Sequence, residues 1–400
     1  MKKQNKKSKL APPREAKSIK LPSLEDKSEK QKSAAPAPLN PAERIGYAVV
    51  GLGNLSLTEI LPAFGQCKYS KPVALVSGEM DKARMIADQY GIDQNNIYSY
   101  DDYDAIADNE QIKVVYIALP NNLHVEYTVR GAVAGKHVLC EKPMANSVDE
   151  CKEMIAACKK ANRKLMIGYR IQYEPNNRQI MKWIRDEEYG KVKIIESYNG
   201  QNMSKDSGGK SRLKKNLAGG GALVDIGIYC LNTIRFLTGE EPTSILATTH
   251  STPNDERFKE VEESVLFQMI FPSGILANCA SSYGAHHSRR YRCYTDNGTW
   301  MGMDLAFDYK GLHMEVSYAD EKMERTEHPY IGEKNHFALE MDHLALCIMD
   351  NAEPYTPGEE GMQDQKIMDA IYESAKEERV VKLKEVKGKD AFRGTPPADE

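Results

Sequence analysis

From residue 44 onward, short apolar runs alternate with stretches whose apolar residues recur every three to four positions. The runs at 45–50, 73–77, 114–118, 137–140 and 164–168 are rich in branched side chains, which predicts buried strands. Between them, 80–90, 124–134 and 147–161 place their apolar residues on one helical face. This alternation predicts an α/β domain over 44–166, a Rossmann-type doubly wound fold on a mostly parallel sheet. After Gly168 the texture changes. Residues 192–198, 243–249, 264–271, 275–282, 290–295 and 312–318 read as closely spaced strands with turn residues between them. They predict a second, α+β domain over 167–380 with a large, mostly antiparallel open sheet, closed by helices at 335–350 and 358–377. No internal repeat is visible.

The flanks are different material. Residues 1–32 are thick with lysine and 33–41 with alanine and proline, and the stretch lacks the apolar residues needed to fold alone. Residues 1–43 therefore read either as a solvated tail or as a proline-rich arm lying on a neighbouring subunit. Residues 381–400 are polar and expected to fray. A formal charge of -4 gives no electrostatic case for nucleic acid or a membrane surface, and no apolar run in the sequence approaches the ~20 residues of a membrane span. The eight cysteines include no CxxC pair, which argues against a zinc module or a disulfide framework and suits a reducing compartment. With no secretory apolar core and no twin arginine, the expected location is cytoplasmic. No metal is expected.

The chemistry gathers at strand ends. The run Tyr47-Ala-Val-Val enters the turn Gly51-Leu52-Gly53-Asn54-Leu55-Ser56, where backbone amides and a helix N-terminus can meet a dinucleotide pyrophosphate. Ser56 stands at the fingerprint's third glycine. The next strand ends in Ser77-Gly78 with Lys82 beyond, a hydroxyl and a cation suited to a 2′-phosphate, so NADP is favoured over NAD; Glu79 is the dissenting acid. Leu119, Pro120 and Asn121 follow another strand and shape a rim for the nicotinamide ribose, while His124 reads as the start of the next helix rather than a catalytic group. Glu141-Lys142-Pro143 ends a further strand. Its lysine reads either as a salt bridge to Glu141 or as a cation that polarises a substrate oxygen.

In Gly219-Gly-Gly-Ala-Leu-Val-Asp225-Ile-Gly-Ile-Tyr229, a flexible turn enters a helix, and Asp225 and Tyr229, four apart, share one face. Hydride removal from a carbinol needs a base for the hydroxyl proton. A free tyrosine with a pKa of about 10 is a poor one. A neighbouring Lys142 favours the phenolate and makes it competent.

These pieces, in this order, resemble the glucose–fructose oxidoreductase branch of the family that also holds inositol dehydrogenases. The likeness spans about 44–380 and includes Glu-Lys-Pro-Met, Leu-Met-Ile-Gly-Tyr-Arg, Leu-Ala-Gly-Gly-Gly, Asp-Ile-Gly-Ile-Tyr and Pro-Gly-Glu-Glu-Gly-Met-Gln-Asp. Tyrosine rather than histidine at Tyr229 is the mark of this branch. The resemblance implies tightly held NADP, with Ser77 and Lys82 at the 2′-phosphate. It places Glu141, Lys142, Tyr169, Arg170 and the 119–124 loop at the cofactor, and Lys142, Tyr169, Arg212, Asp225 and Tyr229 at the sugar. It further implies oxidation of an aldose at C1 to its lactone, reduction of a second sugar, and assembly into a homodimer or homotetramer. The loop 201–216 departs from the pattern, leaving the sugar open. An ordinary dehydrogenase with exchangeable coenzyme and a non-catalytic NADP-sensing subunit are the alternatives.

Overall fold

The structure, a computed structural model, describes residues 37–398 apart from Gly208 and Glu321. Residues 38–397 form one compact unit. Six strands, β1 (Ile45–Val50), β2 (Ser70–Val76), β3 (Ile97–Tyr98), β4 (Val114–Ile117), β5 (His137–Glu141) and β6 (Leu165–Gly168), pair in parallel in the order β3-β2-β1-β4-β5-β6. Tyr47, Ala48, Val49 and Val50 are all fully buried, as a strand covered on both faces requires. That continuous burial is why the sequence reads as an unbroken apolar run rather than an alternation.

The other nine strands build the second sheet: β7 (Val192–Asn202), β8 (Ser244–His250), β9 (Ser264–Ile270), β10 (Leu276–Ser282), β11 (Gly284–Thr295), β12 (Trp300–Asp304), β13 (His313–Asp320), β14 (Met323–Glu327) and β15 (Val381–Lys382). Their order is β14-β13-β12-β11-β7-β10-β9-β8-β15. All neighbours are antiparallel except β7 and β10. Burial along β9 alternates: Val265, Phe267 and Met269 are inside, while Leu266 and Ile270 face out. Helices Ile228–Thr238 and Gly358–Glu377 pack behind this sheet, and among the described residues Ile194, Leu266, Ile270 and Leu276 stand exposed on its other face.

Five elements lack an apolar run long enough to read. β3 has only two residues, β12 is interrupted by Gly302, every residue of β14 is exposed, and β15 is a pair. The helix Pro175–Arg185 is capped by Glu174, whose carboxylate accepts from the N–H groups of Asn176 and Asn177. The expectation that 381–400 frays is corrected through residue 398. β15 adds to the edge of the large sheet, and Arg393 inserts a fully buried side chain that donates to Glu360 at 2.8 Å. The reading of the membrane question also needs one correction: the helical run Lys215–Thr238 is long and apolar enough to span a bilayer, but 78% of its apolar window is buried inside the protein. All eight cysteines are unpaired and buried. The arm at 1–43 lies outside the described residues up to 36.

Candidate active site

β1, β4 and β5 are adjacent and in register, so their carboxyl ends open side by side onto one cleft. At the end of β1, Gly51 has φ +93°, and a Cβ there would sit 2.6 Å from the carbonyl oxygen of Ala118. Only glycine fits. Ser56, at the fingerprint's third position, is buried, and its hydroxyl donates to the Gly51 carbonyl at 2.6 Å, closing the turn from within. Gly53 leaves open space on its Cβ side, with nothing within 4 Å. A helical segment begins immediately after the turn, at Ser56.

The cleft has a volume of about 430 Å³, and Gly53, Asn54, Leu55, Leu119, Pro120, Asn121, Glu141 and Lys142 line its first side. Arg170, Arg212, Asp225 and Tyr229 line the other. Asp225 and Tyr229 reach it because the chain turns into the helix at Gly221, which packs so tightly that a Cβ would lie 2.1 Å from the Glu262 carbonyl oxygen.

Lys142 does not pair with the Glu141 carboxylate through its ammonium. Its Nζ crosses the cleft to donate to the Asp225 carbonyl at 2.7 Å, lies 3.6 Å from Asp225 Oδ1, and sits 4.6 Å over the Tyr229 ring. Asp225 Oδ2 also accepts from Arg212 at 3.1 Å and from the Tyr283 hydroxyl at 2.8 Å. Burial alone would raise this carboxyl, but Lys142, Arg212 and the Tyr283 bond outweigh it and hold Asp225 below the usual range, an anion at neutral pH. The Tyr229 hydroxyl accepts from Arg170 Nη2 at 3.3 Å. Arg170 is itself buried and fixed by the carbonyls of Phe307 at 2.6 Å and Asp308 at 2.9 Å. The phenol therefore has one cation over its ring and another at its oxygen.

Several expected residues lie elsewhere. Tyr169 is buried with its hydroxyl toward Glu360 and Asp364, away from the cleft, so its placement at cofactor and sugar is corrected; its neighbour Arg170 points the opposite way. His124 begins the helix His124–Val133 and is buried, its ring nitrogens each 2.9 Å from the carbonyls of Leu119 and Pro143. Burial holds it below the ordinary histidine range, and it ties together two loops that line the cleft without touching the cleft itself. Gly51 and Leu52 support the turn from beneath. Ser77 and Lys82 stand apart, at the end of β2: Ser77 Oγ accepts from the Glu79 N–H at 3.0 Å, and Lys82 pairs with Glu79 at 3.3 Å. The sequence reading missed Asn199, Gln201, Arg289, Phe307, Tyr309 and Phe337, which the large sheet, its neighbouring loops and the start of the helix His336–Met349 bring to the cleft. Asn199 and Gln201 alternate along β7, a signal that exists in the sequence; the others carry none.

A glycine turn with open backbone, facing a lysine–aspartate–tyrosine group across one cleft, fits a nicotinamide dinucleotide beside an alcohol substrate. The fold and the site define an NAD(P)-dependent oxidoreductase. Residues 45–169 match the model of the oxidoreductase family with an NAD-binding Rossmann fold, and 177–301 match the GFO/IDH/MocA C-terminal domain. An aldose–aldose oxidoreductase from Caulobacter crescentus, solved with glycerol, is 43% identical, with a TM-score of 0.81, over 85% of this chain and 100% of that one. A D-xylose 1-dehydrogenase [NADP(+)] from Haloarcula marismortui is 28% identical over 85% of this chain and 93% of that protein. A levoglucosan dehydrogenase solved with NADH and levoglucosan shares the fold at a TM-score of 0.74 and 23% identity, over 85% of this chain and 99% of that one. The chain belongs to the GFO/IDH/MocA family of NAD(P)-dependent sugar oxidoreductases.

Proposed function

We propose that the protein oxidises an aldose at C1 to its lactone with NADP held in the cleft, and then reduces a second sugar with the coenzyme it retains. The observation that carries this reading is Lys142 Nζ, poised between Asp225 and the Tyr229 ring in the cleft that the glycine turn enters. The bound coenzyme supplies the hydride acceptor. Tyr229 takes the hydroxyl proton, and Lys142 and Arg170 stabilise the phenolate. Asp225, kept anionic, orients Lys142 and accepts a sugar hydroxyl, with Arg212 as its outer partner. The amides of 51–55 and the 119–121 loop hold the coenzyme, and Glu141 faces its ribose. In this reading 44–166 is the nucleotide domain and 167–380 the substrate and assembly domain. The names of an aldose–aldose oxidoreductase and a xylose dehydrogenase among its relatives support an aldose donor.

Freshly purified protein should release NADP(H) on denaturation, detected by mass spectrometry, and convert an aldose plus an acceptor sugar without added coenzyme. Protein purified empty, active only with added NADP or NAD, selects the ordinary dehydrogenase. No conversion of any aldose, ketose or lactone selects the non-catalytic reading.

Ser77 and Lys82 are assigned to the 2′-phosphate, for which Lys82 exchanges its exposed Glu79 partner. Lys82→Ala should weaken NADP by about tenfold and leave NAD almost unchanged, since a charge-assisted bond contributes about 1.5–3 kcal/mol when shielded and less at a surface. Equal losses for both coenzymes in direct titrations would remove Lys82 from the role.

A homodimer or homotetramer through the open sheet completes the proposal. Ile194, Leu276 and Ile270 are exposed and occupy one row across β7, β10 and β9, with exposed Leu266 nearby. Such a patch favours a partner. Leu276→Lys should drive the mass seen by light scattering toward one chain, and a wild-type protein already monomeric at micromolar concentration would defeat the assignment.

A further inference from the structure

Beneath the cleft, one phenol faces two carboxyl groups. The Tyr116 hydroxyl lies 2.8 Å from Glu141 Oε1 and 2.9 Å from Glu340 Oε1. Tyr116 ends near the carboxyl edge of β4, Glu141 ends β5, and Glu340 stands on the helix His336–Met349. Tyr116 and Glu340 are fully buried, and Glu141 nearly so, reaching the cleft at one edge.

A phenol carries one hydrogen. It can donate to one of these oxygens, and the other contact forms only if that carboxyl brings its own proton; two carboxylates would leave an unbridged O···O⁻ contact in a dry site. The surroundings decide which carboxyl is the acid. Glu141 Oε2 accepts the Lys142 N–H at 3.3 Å, whereas Glu340 Oε2 is buried with no hydrogen-bond partner among the described residues. The other groups facing the pair are Lys142 at the end of β5, Arg170 after β6, Tyr309 across the cleft, and the phenols of Tyr47 and Tyr173.

We propose that Glu340 is a neutral carboxylic acid that donates to Tyr116, which in turn donates to Glu141, so that Glu340 acts as a positioning residue holding Glu141 as an anion aimed into the cofactor cleft. Burial raises both carboxyls and Tyr116 and Arg170 draw both back, but the Glu141 charge raises Glu340 further, whereas the Lys142 ammonium and N–H restrain Glu141. This rests on the reading of the cleft as the nicotinamide site. A carboxylate facing the ribose that carries the nicotinamide favours the oxidised, cationic ring over the reduced, neutral one.

Glutamine has the shape of a protonated glutamate and keeps a donor; leucine keeps the bulk and has none. With NADP⁺ titrated directly into the full chain, Glu340→Gln should stay within about twofold of wild type. Glu340→Leu should bind about fivefold more weakly, and the acidic limb of its binding should move to higher pH, because the Tyr116 oxygen loses the donor that polarises it and aims its hydrogen at Glu141; that bond weakens, the Glu141 pKa rises, and the anion is lost sooner as pH falls. Binding by Glu340→Gln as poor as by Glu340→Leu would mean that Glu340 acts as an anion and would overturn the proposal; so would wild-type affinity in Glu340→Leu. Infrared spectra of the protein without coenzyme provide the second measurement. At pH ~8, far above glutamate's usual ~4.3, wild type should show a protonated-carboxyl stretch that Glu340→Gln lacks, and identical spectra would overturn the placement of the proton. Absence of NADP⁺ binding by wild type defeats the coenzyme reading of the cleft, and the infrared band decides the proton's placement in either case.

Discussion

Replacing Tyr229 with phenylalanine lowers turnover by about 10²-fold or more, the usual contribution of a positioned general base, while coenzyme remains bound. The change deletes one oxygen. The ring keeps its stacking on Phe307, 5.7 Å between centroids, and Lys142 keeps its place over the ring face and its bond to the Asp225 carbonyl. What is lost is the atom that accepts from Arg170 and, in the proposed reaction, the sugar's hydroxyl proton. Single-turnover absorbance of the bound nicotinamide isolates the hydride step from release. Near-normal turnover in this variant would remove Tyr229 from the role. Arg170→Lys should produce a smaller loss, since lysine restores the charge without the bonds to Phe307 and Asp308 that fix its direction.

How much of this could be read from the chain depends on whether neighbours in space are also neighbours in sequence. The strand 45–50 and the helices 80–90 and 358–377 appear where the pattern put them, because burial on both faces or along one face is written into consecutive residues. Lys142, Asp225 and Tyr229 were each legible as a residue held at a strand or helix end, and the fold brings them together. Tyr169 and Arg170 were not separable, because adjacent residues point opposite ways and nothing local says which one faces the cleft. The polar end of the chain misled for the same reason. Arg393 looks like a solvated charge beside its neighbours, yet it reaches Gln172, 221 positions away, and Glu360 in the interior. Nor could pattern find the contact between Tyr116 and Glu340, which joins residues 224 apart.

The buried charges that those long-range contacts assemble give the largest expected effect on stability. Arg235→Met should destabilise the protein by about 3–5 kcal/mol, the cost of leaving buried charges without their partner. Arg235 has no exposure, and it meets Glu241 through two bonds of 2.8 Å, Glu360 at 2.9 Å, and Asp364. Together with Arg393, it makes two cations among three acids. The acids divide accordingly: burial is outweighed at Glu360, which the two arginines draw down to about 2, whereas at Asp364 burial and the Glu360 charge prevail over Arg235 and lift it to about 7. Without Arg235, folded-state carboxyl pKa values rise above their unfolded values near ~4. A raised carboxyl contributes stability that is lost as pH climbs through the folded pKa, so the deficit should widen from about pH 5 to pH 8. Urea midpoints across that range measure it, and a midpoint unchanged at every pH would show that the cluster is neutral in the balance. Arg235 and Asn232 lie on the helix Ile228–Thr238 that presents Tyr229, and Asn232 donates to Glu360 at 3.1 Å and Asp364 at 2.9 Å. The same substitution should therefore lower activity in protein that is still folded, through the helix rather than through any contact with the sugar.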